Sequence, residues 1–191
     1  MLDAARQFLV EDGYKGLSMR KIARQVGCSV GTIYLYFKNK DDIFHALIDE
    51  GFEQLYQAYL AVLSAETDPY RRLEGICRAY VDFGRSQPEY YAIMYMHHPT
   101  MVERFPQALY RRARRVLDVS AEILEACAQA GRLQIGEPFT AATLLWSAMH
   151  GITSLIISQR VDVRFDQAAL IDQAIQQAIA AFRQPESAPL A

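Results

Sequence analysis

Apolar residues recur along this chain every three or four positions, with polar residues between them. Runs of that period predict amphipathic helices. Leu2, Ala5, Phe8 and Leu9 form one stripe over 2–11. Ile22, Ala23 and Val26 form a second over 19–26, and Ile33 with Phe37 a third over 30–36. Residues 40–65 carry Ile43, Phe44, Leu47, Ile48, Phe52, Leu55, Tyr59 and Val62 on one face, a helix of about 37 Å at about 1.5 Å per residue. Leu73, Ile76, Cys77, Tyr80 and Val81 mark the next. A short helix is expected over 89–94 and a long one over 107–130. Ala141, Leu144, Leu145, Ala148, Ile152, Leu155 and Ile156 stripe a helix over 138–158. Ala169, Leu170, Ala174, Ile175, Ala178, Ile179 and Phe182 stripe a last one over 166–182. No segment alternates with a period of two, so the expected fold is all-α, with about nine helices.

Punctuation residues sharpen two of these elements. Ser18 can cap the second helix, and Gly27 lies where a left-handed backbone ends it. Ser29 can cap the third. Helix, turn of about three residues, helix is the size of a helix-turn-helix. Pro69, Pro88 and Pro138 suit first helical turns, and Gly13 and Gly131 suit helix ends.

Charge separates this segment from the rest. The chain has 191 residues, half of them hydrophobic and about a fifth charged, as in an ordinary globular protein. Its net charge is −2, yet residues 15–40 hold six Lys or Arg and no Asp or Glu, which leaves −8 for the remainder. A cationic surface on an acidic body suits a polyanion that must meet one face only. Ser29, Thr32, Tyr34 and Tyr36 crowd the third helix with hydroxyls on its outer side. Cys28, Cys77 and Cys127 are odd in number and far apart, as free thiols in a reducing cytoplasm would be. No secretory signal and no membrane span are expected, because residues 1–12 carry acids and no run of about 18 uninterrupted apolar residues exists.

The segments FLVEDGYKGLSMRKIARQVG and SVGTIYLYFKNKDDIFHAL resemble the DNA-binding domain of the tetracycline-repressor (TetR) family, over about Leu2 to Leu47. The resemblance implies a three-helix helix-turn-helix domain over 1–47 whose third helix enters the major groove. It also implies a helical-bundle ligand-binding and dimerisation domain over 48–183, followed by a flexible tail, 184–191. On the matching positions, DNA contacts are expected from Arg20, Ser29, Thr32, Tyr34, Tyr36 and Lys40. Val30 and Gly31 stand where some relatives carry polar base readers, so base readout is expected to rest on Arg20, methyl contacts and DNA shape. The chain opens directly on its first helix, with no basic arm expected ahead of it. The implied function is a cytoplasmic, ligand-responsive transcriptional regulator. It would be a repressor that binds a palindromic operator as a homodimer and is released by a small, partly hydrophobic or aromatic effector.

In the body, Trp146 and His150 are four apart and share a helix face, with Gly151 beside them. This resembles the W…HG signature of one C-terminal subgroup of the family. The pair can be plain packing, an edge of the effector pocket or part of the dimer seam. Tyr80, Phe83, Tyr91 and Met94, with Trp146 and His150, are the candidate ligand-binding residues, suited to a partly aromatic molecule. His97 and His98 are adjacent and point apart, which is poor spacing for a helical metal site, so no metal and no cofactor are expected. Arg111, Arg112, Arg114 and Arg115 read as a solvated face, or as a cradle for an anionic ligand. Small residues on the last two helices (Ala141, Ala142, Ala148, Gly151, Ala174, Ala178) suit close packing into a four-helix dimer bundle. Cys77, Cys127 and Ser147 are possible nucleophiles, but none has a visible base and orienting partner, so no catalytic residue and no enzyme is expected.

Overall fold

The computed structural model describes residues 1–96 and 107–183. His97, His98, Pro99, Pro106 and the tail 184–191 lie outside the described residues, as does the side chain of Arg112. Among the described residues the fold is all-α, with nine α-helices, one π-helical turn and no strand. The helices are α1 Leu2–Gly16, α2 Met19–Val26, α3 Val30–Tyr34, α4 Lys40–Ala65, α5 Pro69–Ser86, α6 Pro88–Tyr91, α7 Gln107–Gln129, α8 Pro138–Ile157 and α9 Gln167–Ala180. The π-helical turn Ala92–Met96 follows α6 directly. The chain divides into two compact units. One holds 1–54 and 87–113, the other 55–86 and 114–191, so α4 contributes to both.

In the first unit, α1 breaks at Gly13, whose φ of 67° and ψ of −177° no helix accepts. The stripe of α1 is shifted from expectation. Ala4, Ala5 and Leu9 are buried, while Leu2 and Phe8 are only half-buried. Leu17, Ile22, Ala23, Ile33, Ile43 and Leu47 complete the core of this small head, all at 3% exposure or less. Tyr14 closes it by meeting Phe44 edge to face at 5.5 Å. Gly51 on α4 lies against Met94 of the π-turn so closely that a Cβ would stand 2.5 Å from its sulfur. The short helix starts at Pro88, one residue earlier than the expected 89–94, and widens into the π-turn instead of continuing as α.

The second unit gathers α5, α8 and α9, which pack on one another. Its helix ends are well satisfied. Asp68 accepts from Arg71 N–H at 3.0 Å, and Glu137 from the N–H groups of Phe139 and Thr140 at 3.0 and 2.6 Å. Asp166 accepts from Ala168 N–H at 2.9 Å. At the other end of α4, Arg72 donates to the carbonyls of Glu66 and Leu63 at 2.6 and 3.0 Å. Arg78 pairs with Asp172, and Gln176 donates to Glu74 at 2.5 Å, so α5 and α9 are also stitched along their exposed edges.

The faces of α8 and α9 correct the expected stripes. On α8 the buried positions are Ala141, Ala142, Leu145, Met149, Thr153 and Ile156. Leu144, Ala148 and Leu155, expected inside, face outward, with Leu144 at 60% and Leu155 at 47% exposure. On α9 the core residues are Ile171, Ile175 and Ile179, and Ala169 is exposed. Because α8 is apolar on nearly every side, its period alone does not mark its inner face. By length and composition it also meets the test for a membrane-crossing helix, at 20 residues and mean hydropathy 1.3, with only a third of that stretch buried.

Candidate nucleic-acid interface and body site

Sequence places α2 and α3 almost as expected, with two corrections. Ser18 occupies the N-cap of α2 in extended backbone, but its side chain makes no capping bond. Val26, expected on the buried face, is 42% exposed; Met19, Ile22 and Ala23 carry that face instead. Gly27 then turns the chain at φ 75°, and Cys28 N–H reaches back to the Ala23 carbonyl at 3.0 Å. That left-handed cap is available to glycine without penalty. Ser29 caps α3, accepting from Thr32 N–H at 3.1 Å, and its hydroxyl lies 2.9 Å from the Thr32 hydroxyl.

α3 stops at Tyr34, two residues short of the expected 36. Beyond it Tyr36 N–H bonds the Ile33 carbonyl at 3.0 Å, a tightened last turn. Ile33 anchors the turn at 0% exposure, and everything after it swings out: Tyr34 is 54% exposed, Leu35 82% and Tyr36 71%. A packed role for the Tyr34 ring is therefore ruled out. Three large side chains with this much exposed area on one short turn are unusual without a partner.

The charged residues sort into free and engaged. Arg20, Arg24 and Lys38 are exposed. Lys21 is held by Asp12 at 2.9 Å and lies 5.7 Å from the Phe8 ring centre, so space restores an acid that the 15–40 window excludes. Lys40 is half-buried. Its ammonium sits 4.2 Å from the Tyr14 ring centre and donates to the Tyr14 carbonyl at 3.4 Å, which fixes its direction and leaves further donors. Around it, Asn39 accepts from Asp42 N–H at 2.9 Å and Asp42 accepts from Lys38 N–H at 2.8 Å, a reciprocal cap that fixes the start of α4. The six candidate DNA residues thus divide. Tyr34, Tyr36 and Arg20 are open, Ser29 and Thr32 are bound into the cap of α3, and Lys40 is braced on Tyr14.

Leu35 was not among the sequence candidates. Two residues from both Ile33 and Phe37, it lies on the side of the helical turn opposite the buried stripe, so the helical period places it outward.

In the second unit, Trp146, Tyr80 and His150 form one hydrogen-bonded group. Trp146 Nε1–H donates to the Tyr80 hydroxyl at 3.0 Å, and that hydroxyl lies 3.1 Å from His150 Nδ1. The Tyr80 hydroxyl thus accepts from the indole and shares a second hydrogen bond with the imidazole, whose direction depends on the His150 tautomer. Burial holds the His150 imidazole below the usual histidine value, so the neutral ring is the form favoured here. The Trp146 and His150 rings are 5.7 Å apart. Tyr80 is 1% exposed and Phe83 6%, while Trp146 reaches the surface at 37%. Tyr91 and Met94 belong to the first unit and the other four candidates to the second. Among the described residues no atom lies within 4 Å of a would-be Cβ on Gly151, so this face of the helix is open there. A cleft of about 600 Å³ in the first unit, walled by Asp3, Arg6, Gln7, Glu11, Gln25 and Glu89 among others, contains none of the ligand candidates.

Burial raises the thiol of Cys77 to about 12 and that of Cys127 to about 11, so both stay protonated. Ser147 donates its hydroxyl to the Thr143 carbonyl at 2.8 Å.

Residues 1–47 match the family model described as "Bacterial regulatory proteins, tetR family". Residues 73–178 match "Tetracyclin repressor-like, C-terminal domain". The "Fatty acid metabolism regulator protein" of Bacillus subtilis (strain 168) is 46% identical over 57 residues, 30% of this chain and 29% of that protein. The "Nucleoid occlusion factor SlmA" of Haemophilus influenzae (strain PittGG) is 31% identical over 78 residues, 41% of this chain and 36% of that protein. The chain thus spans between 29% and 36% of the length of these two relatives. Among solved structures, a protein with unknown function from Rhodococcus sp. RHA1 superposes at a TM-score of 0.82 with 24% identity, over 96% of this chain and 93% of that one. FadR from Bacillus subtilis in complex with stearoyl-CoA gives 0.73 with 21% identity, over 95% and 97%. These two likenesses speak to the fold. With one family model on the helix-turn-helix and another on 73–178, more than half of its 191 residues, the chain belongs to the tetR family of bacterial regulatory proteins.

Proposed function

We propose that this protein is a cytoplasmic, ligand-responsive transcriptional repressor that binds a palindromic operator as a homodimer. The observation that carries the reading is the outward turn Tyr34–Leu35–Tyr36, in a helix-turn-helix that also exposes Arg20, Arg24 and Lys38. Tyr34 and Tyr36 hydroxyls and the braced Lys40 ammonium are donors for phosphate oxygens, and Arg20 can fork to a guanine edge. Ser29 and Thr32 act one step back, by fixing the start of α3.

The dimer reading rests on α8. Leu144, Ala148 and Leu155 face outward, and α8 bears no Asp, Glu, Lys or Arg. Gly151 leaves room for a second backbone. A matching helix pair from a second copy covers such a face by two-fold symmetry. This also accounts for the apolar length of α8 without a bilayer.

The effector reading rests on the Trp146–Tyr80–His150 group and the buried Phe83. Tyr91 and Met94 are kept as candidates contributed by the first unit. α4 is continuous through both units, so a ligand that favours one setting of α4 can alter the spacing of the two heads in a dimer. Coupling of that kind is reciprocal: DNA must weaken ligand by the factor by which ligand weakens DNA. The Bacillus subtilis FadR complex makes stearoyl-CoA a reasonable first compound to try.

The test is selection of duplexes from a random pool, followed by titration at several salt concentrations. The expected result is enrichment of a palindrome whose affinity falls steeply with salt. Binding with no sequence preference, or none at all, contradicts the reading. Trp146 is the single tryptophan of the chain, so its emission reports effector binding directly.

A further inference from the structure

Leu35 is 82% exposed, more than any other large apolar side chain of the helix-turn-helix. It follows the last residue of α3 and stands between Tyr34 and Tyr36, both also exposed. Its surroundings limit what can cover it. Arg20, Arg24 and Lys38 are open to solvent, while Asp12 is engaged by Lys21 and Asp42 by the Lys38 N–H, so the surface selects an anionic partner over an apolar protein face. On the proposed reading that partner is duplex DNA. The major groove presents donors and acceptors almost throughout, and its one apolar group is the C5 methyl of thymine. A leucine has no hydrogen bond to offer the other edges, and placing it against them strips their water without replacement.

We infer that Leu35 packs on a thymine methyl, which makes one T·A pair in each half-site a specificity position of this protein. The inference rests on the DNA-binding reading and refines it. It also answers a question that the sequence leaves open. Val30 and Gly31 bring no polar reader to the start of α3, and Ser29 and Thr32 are tied to each other in its cap. Direct readout from this turn then falls to Leu35, with Tyr34 and Tyr36 fixing its register through the backbone.

The experiment replaces thymine by uracil, position by position, in the duplex selected by the wild-type protein. Uracil keeps the pairing and removes only the methyl. One symmetric pair of positions is expected to lose about fourfold in affinity per half-site, the scale of one buried methyl-sized group. Leu35→Ala is expected to bind the thymine duplex more weakly by at least as much, and to be indifferent to uracil at that same pair. The side chain is exposed, so the variant's helix content and melting temperature are expected to match wild type. The inference is overturned if uracil is tolerated everywhere, if Leu35→Ala retains full affinity, or if the variant keeps the wild-type penalty for uracil. A Leu35→Ala variant that loses self-association instead of DNA affinity would likewise overturn it, by making Leu35 a contact between copies. Failure of the wild-type protein to select any duplex would sink the DNA-binding reading itself, and is distinguishable from all of these.

Discussion

Two surfaces of this molecule expose apolar side chains in similar measure and for different ends. On the head, Leu35 and Tyr36 are 82% and 71% exposed; on α8, Leu144 and Leu155 are 60% and 47% exposed. Exposure alone does not separate them. Their neighbours do. The helix-turn-helix that bears the head's apolar turn also exposes Arg20, Arg24 and Lys38, whereas α8 carries no Asp, Glu, Lys or Arg from Pro138 to Ile157. On the proposed reading, a cationic setting directs the first to a polyanion, and a neutral face of small and aliphatic residues directs the second to a copy of itself. Charge around an apolar patch, more than the patch, decides its partner.

Breaking the head from inside is expected to have the largest effect. Ile33→Ala removes a side chain with 0% exposure from a very small core. The cost is expected at about 2–4 kcal/mol, with loss of DNA binding, measured by thermal melting and gel shift. Tyr36→Ala should do the opposite, removing most operator affinity while the melting temperature holds. Lys40→Ala should lie between, because it loses both a phosphate contact and its brace on Tyr14.

The α8 side of the comparison is sharpened by Leu144→Arg. This charge is expected to leave the subunit folded and to shift sedimentation from dimer to monomer. Operator affinity should fall with it, since two half-sites are then bound independently. A variant that stays dimeric removes α8 from the interface.

Helix existence was legible from sequence because the signals were local: Gly27 and Gly131 end helices, Pro69 and Pro138 open them with a preset φ, and the acids before α8 and α9 accept from first-turn N–H groups. Helix faces were less legible. α8 has aliphatic or aromatic residues all round, so Leu144 and Leu155 could not be told from Leu145 and Ile156 by period. On α9 the sequence stripe began at Ala169, while Ile171 proved to lie inside. The DNA candidates Tyr34 and Tyr36 were legible as outward hydroxyls. Leu35 was overlooked as an apolar residue among the hydroxyls, although two residues from both Ile33 and Phe37 it falls on the outward side by helical period. The Tyr80 bonds to Trp146 and His150 join residues about seventy apart, and no local pattern encodes them.

A smaller effect tests the body site. His150 has its pKa depressed by burial. As pH falls through about 6.5, the unfolded chain takes up a proton before the folded one does, so stability is present above that pH and declines below it. The difference in melting temperature between wild type and His150→Gln should therefore change from pH 7.5 to 5, with the wild type losing more. Parallel curves would mean that His150 titrates alike in both states. Smallest of all, Ser29→Ala is expected to cost about 1 kcal/mol through the lost cap, read by chemical denaturation, with a modest drop in DNA affinity.

The central claim is that the exposed turn after Ile33 is the DNA-reading surface. It is tested most directly by measuring the affinity of wild type and Tyr36→Ala for the selected duplex across a salt series, with melting curves of both. Steep salt dependence is expected for wild type, with a loss of at least tenfold for Tyr36→Ala at unchanged melting temperature. Equal affinity of the two folded proteins at every salt concentration would contradict it.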